Sequence, residues 1–218
     1  AQDNGLHLFR YLREHHPEID AYYVIEKDSP ERRNLDGLDH VLEFRSPEHI
    51  DTILRADRLI GTHHPNFLYP TRAPGFARRM RAPKVFLQHG VMGTKWMAPN
   101  YGKKVPSFET DLFLVSSERE KEYIVQDFGY RPDEVAVTGL SRFDALFDGQ
   151  TPEVPGQILV LPTWRDWLQD PDVFTTTEYF QQWRDFLTSP RLATMLQEHD
   201  AHVVFCLHSN MQHFTQHF

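Results

Sequence analysis

Phe86-Leu-Gln-His-Gly-Val-Met-Gly-Thr-Lys-Trp96 is the stretch on which the fold turns. With Lys84 and Val85 before it, the run Lys84 to Leu87 reads as a short buried strand that stops at Gln88 and His89. Gly90 and Gly93 then allow a tight loop whose backbone can approach a ligand closely. In open α/β sheets ligands bind beyond the carboxyl ends of the strands, and His89 falls at such an end. A histidine there can take a proton from an attacking hydroxyl at neutral pH.

Working outward, the same grammar repeats. Toward the N-terminus, Leu6, Leu8, Phe9 and Leu12 form a helical stripe behind the capping candidates Asp3 and Asn4. Ala21 to Ile25, Val41 to Phe44 and Arg58 to Gly61 read as short strands, and Ser46-Pro47 opens a helix between the last two. Toward the C-terminus, Leu112 to Val115 is a strand. Ser117 with Glu120 predicts a capping box, and Gly129 closes that helix. Val135 to Val137 is a further strand, with a helix expected after Gly139 through Phe147. Asp148 to Gly156 reads as a linker, rich in glycine, proline and polar residues. The pattern then restarts at Ile158 to Leu161, continues through two helices around Trp183 and after Ser189-Pro190, and reaches a last strand at Val203 to Cys206. Short strands alternating with helices predict parallel sheets covered on both faces.

The expectation is therefore α/β. An N-terminal Rossmann-like domain spans residues 1–148, a linker 149–156, and the start of a second, incomplete domain 157–218. The chain begins without Met and stops inside an expected helix, and is read as a piece of a longer protein.

Composition limits the function. The 218 residues are 40% hydrophobic and 25% charged, ordinary for a folded chain. No run approaches the ~18 apolar residues of a spanning helix. One cysteine, Cys206, excludes an internal disulfide. The net charge of −8 argues against general nucleic-acid binding. Between Arg58 and Phe108, however, there is no Asp or Glu, while nine of the 23 Lys and Arg residues lie there. Arg72, Arg78, Arg79 and Arg81, interleaved with Phe67, Tyr69 and Phe76, form a candidate patch for a polyanion or an anionic membrane surface, or else a solvated basic face over a core made by Phe76 and Met80.

Two further segments repeat the strand-end chemistry. In Leu161-Pro-Thr-Trp-Arg165, Arg165 offers a planar fork of donors suited to phosphate and Thr163 a hydroxyl. In Phe205-Cys-Leu-His-Ser-Asn-Met211, His208 follows the last strand. Thirteen histidines invite a metal reading, with His208, His213 and His217 on one side of a helix and the His63-His64 pair. No metalloprotease-type signature or cysteine set supports it, and no metal or cofactor is expected.

Taken in order, these residues resemble the CDP-glycerol glycerophosphotransferase family. The likeness is carried by Asp3-Asn4-Gly5 leading into Leu8 to Leu12, Tyr22 to Ile25, Gln88-His89-Gly90 with Lys95, Gly139 to Asp144, Pro162 to Arg165, and the segment around His208. It covers nearly the whole chain. The resemblance implies a GT-B-like architecture of two Rossmann-like domains with the active site between them. It also implies transfer of glycerol phosphate, or a related polyol phosphate, from a CDP-activated donor to a hydroxyl of a teichoic-acid-like or capsular polymer, with release of CMP. The partners implied are a CDP-glycerol or related CDP-polyol donor and a polyol-phosphate or glycan polymer acceptor, at the cytoplasmic face of the membrane. By the same resemblance His89 is the base, His208 and Arg165 meet the donor pyrophosphate, and Gly90, Lys95, Thr163 and Ser209 line the substrates. The chain departs from the family at Cys206-Leu207-His208-Ser209, where Arg-x-His-Pro is usual. A nucleotide-sugar glycosyltransferase of the same fold and a non-catalytic polymer- or membrane-binding module are the competing readings.

Overall fold

The structure, a computed structural model, describes residues 3–93, 95–147, 149, 153–165, 167–168 and 170–218. The chain divides into two compact units, Ala1–Gln150 and Thr151–Phe218. Of the expected linker, residues 148 and 150–152 lie outside the described residues.

In the first unit the helices start where the capping chemistry places them. Helix α1 (Asn4–His15) is capped by the Asp3 carboxylate, and α2 (Pro47–Arg55) by the Ser46 hydroxyl, which accepts the His49 N–H at 3.1 Å. Two single-turn helices, α3 (Pro74–Ala77) and α4 (Ala98–Tyr101), precede α5 (Glu118–Phe128). Helix α5 begins at Ser117 and ends at Gly129, whose φ of 79° is a left-handed conformation that costs glycine little. The strands are β1 (Tyr23–Ile25), β2 (Val41–Glu43), β3 (Leu59–Gly61), β4 (Lys84–Phe86), β5 (Leu112–Val115) and β6 (Val135–Val137). All pair in parallel, β1 with β2, and β3-β4-β5-β6 in that order. A cleft of about 1070 Å³ is lined by both β1 and β3 and by the Gly5 to Leu12 side of α1.

The core of this unit is built around β4 and β5. Phe86, Phe113, Val115 and Ile124 are fully buried. Phe86 meets Phe108 and Phe113 edge-on at ring separations of 5.0 and 4.9 Å. Such pairs contribute ~0.5–1.5 kcal/mol each beyond the area they bury. Strand β4 therefore ends at a fixed point, and the loop beginning at Gln88 starts from it.

The second unit holds β7 (Gln157–Val160) and β8 (His202–Phe205), paired in parallel, with α6 (Pro171–Phe174), α7 (Glu178–Leu187) and α8 (Pro190–Glu198) between them. Its core gathers Leu168, Phe174, Phe180, Leu207, Met211 and Phe214, with the Phe174 and Phe214 rings stacked at 4.0 Å. Three expectations change. The sheet of this unit is only partly covered, with Ile158 and Leu159 of β7 about half exposed while Phe205 of β8 packs against the core. The segment after Gly139 is a 3-10 helix, Ser141–Leu146, not an α-helix through Phe147. The capping box at Ser117 is only half formed. Ser117 accepts the Glu120 N–H at 3.2 Å, but the Glu120 side chain turns inward to other partners.

Candidate functional site

The loop after β4 is held by three segments distant in sequence. Gln88 is fully buried with a φ of 51°, a left-handed conformation that a side chain with a Cβ adopts at a cost. The glycines do less than their positions imply. Gly93 carries a positive φ of 143°, Gly90 does not, and the sharp turn falls on Gln88. What holds Gln88 there is a network. Its amide Nε2 donates to the Leu114 carbonyl at 2.8 Å and to Glu120 Oε1 at 3.1 Å. The same Glu120 oxygen accepts the Met92 N–H at 2.6 Å, and Oε2 accepts both the N–H and the hydroxyl of Ser116 at 2.7 and 2.8 Å. One buried carboxylate thus ties β5 and the start of α5 to both ends of the loop around His89.

From the other side, the first turn of α1 reaches in. Asn4 is fully buried, and its Nδ2 donates to the carbonyls of Leu87 and Gln88 at 3.3 and 2.7 Å. Asn4 Oδ1 accepts the Arg142 N–H at 3.2 Å, and its backbone carbonyl accepts the Ser141 hydroxyl at 2.7 Å. Arg142 closes the ring, donating from one nitrogen to Asp3 Oδ1 at 2.9 Å and to the His89 carbonyl at 2.8 Å. Charge-assisted bonds of this kind are the stronger class and fix direction as well as distance.

His89 is half-buried, and its Nδ1 lies 3.2 Å from the Thr62 carbonyl. A carbonyl only accepts, so this contact puts the proton of the neutral ring on Nδ1 and leaves the Nε2 lone pair as the basic atom. The His89 ring stacks on His63 at 4.5 Å with the planes 5° apart, and Tyr101 meets its edge at 6.0 Å. Lys95 is exposed in the same loop, and Thr94 lies outside the described residues.

In the second unit, the ends of β7 and β8 lie side by side. The Trp164 ring stacks on His208 at 5.6 Å and 21°. His208 Nδ1 accepts the Asn210 N–H at 3.2 Å, so the proton of its neutral ring sits on Nε2, a donor suited to a phosphate oxygen. The Arg165 guanidinium lies 5.3 Å over the Tyr179 ring, and its NH1 donates to the carbonyls of Thr163 and Trp164. Thr163 and Ser209 are exposed beside them, and Cys206 is half-buried. Arg72, Arg78, Arg79 and Arg81 are all exposed. Arg72 lies 5.0 Å over the exposed Phe67 ring, while Met80 is buried with Phe76 packed against its cluster. Among the described residues no group of three or more His, Cys, Asp or Glu is placed to hold a metal, and no helix is long and apolar enough to cross a membrane.

Sequence reasoning named His89, Arg165 and His208 but gave no part in this site to Asn4, Gln88, Glu120, Arg142 or His63. Glu120 was legible only as a helix cap, Asn4 as a capping candidate, and Asn4 and Arg142 as parts of motifs 138 positions apart.

Parallel α/β units with polar and cationic side chains at the carboxyl ends of their strands fit a GT-B-like fold. The family model for CDP-Glycerol:Poly(glycerophosphate) glycerophosphotransferase matches residues 1–217, and the chain belongs to that family. The minor teichoic acid biosynthesis protein GgaB of Bacillus subtilis (strain 168) is 24% identical over 230 residues, covering 97% of this chain and 25% of GgaB. The chain thus spans about a quarter of that relative's length. Among solved structures, that of the wall teichoic acid polymerase TagF is similar in fold, with a TM-score of 0.59 at 14% identity, covering 96% of this chain and 54% of TagF.

Proposed function

We propose that this chain carries part of the machinery for moving glycerol phosphate, or a related polyol phosphate, from a CDP-linked donor to a hydroxyl of a teichoic-acid-like polymer. The observation that carries the reading is His89, with Nδ1 turned to the Thr62 carbonyl and Nε2 left as the basic atom. In the reaction, His89 Nε2 takes the proton of the acceptor hydroxyl as its oxygen bonds to the donor phosphorus that bears glycerol. The bond from that phosphorus to the bridging oxygen breaks, and the electron pair leaves with CMP. Arg165 and the Nε2–H of His208 are suited to the charge that gathers on the departing phosphate. The deciding experiment is a donor screen on the full chain, following CMP release with and without polymer acceptor. Release of a nucleoside diphosphate from UDP-sugars, with none of CMP from CDP-polyols, would replace this reading with glycosyl transfer.

Arg165 yields a graded expectation. Arg165→Ala should weaken donor binding more than Arg165→Lys, because lysine keeps the charge but loses the planar fork and its stacking on Tyr179. Titration of CDP-glycerol against both variants checks this, and equal, negligible effects would remove Arg165 from the donor site.

The exposed arginines support a second element of the proposal, docking on an anionic membrane surface at the cytoplasmic face. Each basic residue near such a surface contributes ~1 kcal/mol, screened over ~8–10 Å at physiological salt. Changing Arg72, Arg78, Arg79 and Arg81 to Gln should release the protein from phosphatidylserine-containing vesicles at low salt, as high salt should for the unaltered chain. Vesicle co-sedimentation at two ionic strengths measures it. Salt-independent binding, equal for both proteins, would reduce the four to a solvated face.

A further inference from the structure

His63 has no place in the chemistry so far, yet it makes the closest ring contact to the base. The two imidazoles lie at 4.5 Å with planes 5° apart, and Thr62, whose carbonyl sets the His89 tautomer, immediately precedes His63. The Thr62 hydroxyl is itself 3.4 Å from His63 Nδ1. One short segment after β3 therefore presents both a carbonyl to the edge of the His89 ring and an aromatic face to its plane. We propose that His63 is the positioning residue of His89, a stacking partner that fixes the plane of the base and accommodates the imidazolium formed when His89 takes the acceptor's proton. The proposal rests on the reading of His89 as the base.

The electrostatics run the same way. Desolvation, and then the neighbouring His89, push the His63 pKa below its ordinary value, with Asp3 opposing and His64 adding to the effect. A lowered pKa favours the uncharged form of His63, an effect that its exposure moderates. Two imidazoles in van der Waals contact do not readily carry two charges, so the pair holds one proton before it holds two. Other side chains border the pair. Tyr101 presents a ring edge to His89. The Arg142 charge is spent on Asp3 and on the His89 carbonyl. His64 Nδ1 lies 3.2 Å from the Ser107 carbonyl, away from the stack.

Three substitutions separate positioning from bulk structure. His63→Ala removes the face and should lower kcat by about one to two orders of magnitude, the scale of loss when a reacting group is misplaced, with the donor KM unchanged. His63→Phe restores a ring without a titrating nitrogen and should recover most of that loss. His63→Lys puts a fixed charge against His89, so the His89 pKa must fall and the acid limb of the kcat profile must move to lower pH. The imidazole signals of His89 and His63, followed by NMR titration of the full chain without donor, give a readout independent of turnover. The His89 midpoint should drop in His63→Lys, and the His63 midpoint should rise in His89→Gln as its neighbour's charge is lost. Unaltered His89 titration in every His63 variant, or equal turnover for alanine and phenylalanine, overturns the proposal. If no CDP-polyol supports turnover in any form, the transfer reading fails, and the NMR arms still decide whether the two rings are coupled.

Discussion

Replacing His89 by alanine in the full chain is expected to lower turnover by ~10²–10⁴-fold, the range a positioned general base supplies. Donor affinity should be nearly unchanged, since the groups assigned to the donor, Arg165 and His208, belong to the other compact unit. The size of the loss follows from how much the fold invests in this ring. Its carbonyl is held by Arg142, its Nδ1 faces Thr62, and the residue before it is locked in a left-handed conformation. Such strain persists only where surrounding contacts over-determine it, and it gathers at working sites. His89→Gln is the sharper comparison, since glutamine retains polar groups but cannot take up a proton near neutral pH. Single-turnover kinetics with saturating CDP-glycerol and acceptor separate the step from binding. Wild-type turnover in either variant would show that the hydroxyl proton leaves by another route.

The particular residues show what a sequence of this kind makes legible. Local chemistry carried well. Asp3, Ser46, Ser117 and Gly129 mark helix ends where capping rules place them. The runs at Leu59, Lys84, Leu112 and Val135 became four parallel strands in order, because short apolar runs between helices have few other ways to satisfy their backbone. Long-range polar contacts were not legible. Nothing local indicates that Asn4 will donate to the carbonyls of Leu87 and Gln88, 83 and 84 positions away, or that Arg142 will reach His89. Glu120 is the clearest case. A glutamate three residues after a serine at a helix start fits a capping box, and the local rule is silent about a stronger set of donors arriving from β4 and its loop. His63 was visible only as half of a histidine pair, and its stacking on His89 depends on the adjacency of β3 and β4. The basic stretch was plain in the sequence, and so was the inward turn of Met80 and Phe76 that leaves the arginines outside.

Glu120→Ala is expected to be the most destabilising single change at the site. The carboxylate is 3% exposed and accepts from the N–H groups of Met92 and Ser116, the Ser116 hydroxyl and the Gln88 amide. Alanine removes every acceptor and leaves the donors in place. Two orphaned backbone N–H groups alone, at ~1–3 kcal/mol each, amount to roughly 2–6 kcal/mol, before counting Gln88. Against a total stability of ~5–15 kcal/mol, a loss of that size moves the urea midpoint plainly. Glutamine should rescue only part of it. One of its two end groups is an NH₂, which would face either Met92 N–H or Ser116 N–H, donor against donor. Glu122→Ala, at an exposed position on the same helix, is the control and should stay within ~0.5 kcal/mol of the unaltered protein. The second consequence is kinetic. With the Gln88 and Met92 ties gone, the loop can relax from its left-handed turn, and His89 loses its fixed start point even where the protein remains folded. Turnover measured well below the unfolding transition should therefore fall for Glu120→Ala and much less for Glu122→Ala. Urea unfolding followed by tryptophan fluorescence, beside kinetics at low temperature, gives both quantities. A Glu120→Ala protein as stable and as active as Glu122→Ala would mean that the loop around His89 is held by Asn4 and Arg142 alone.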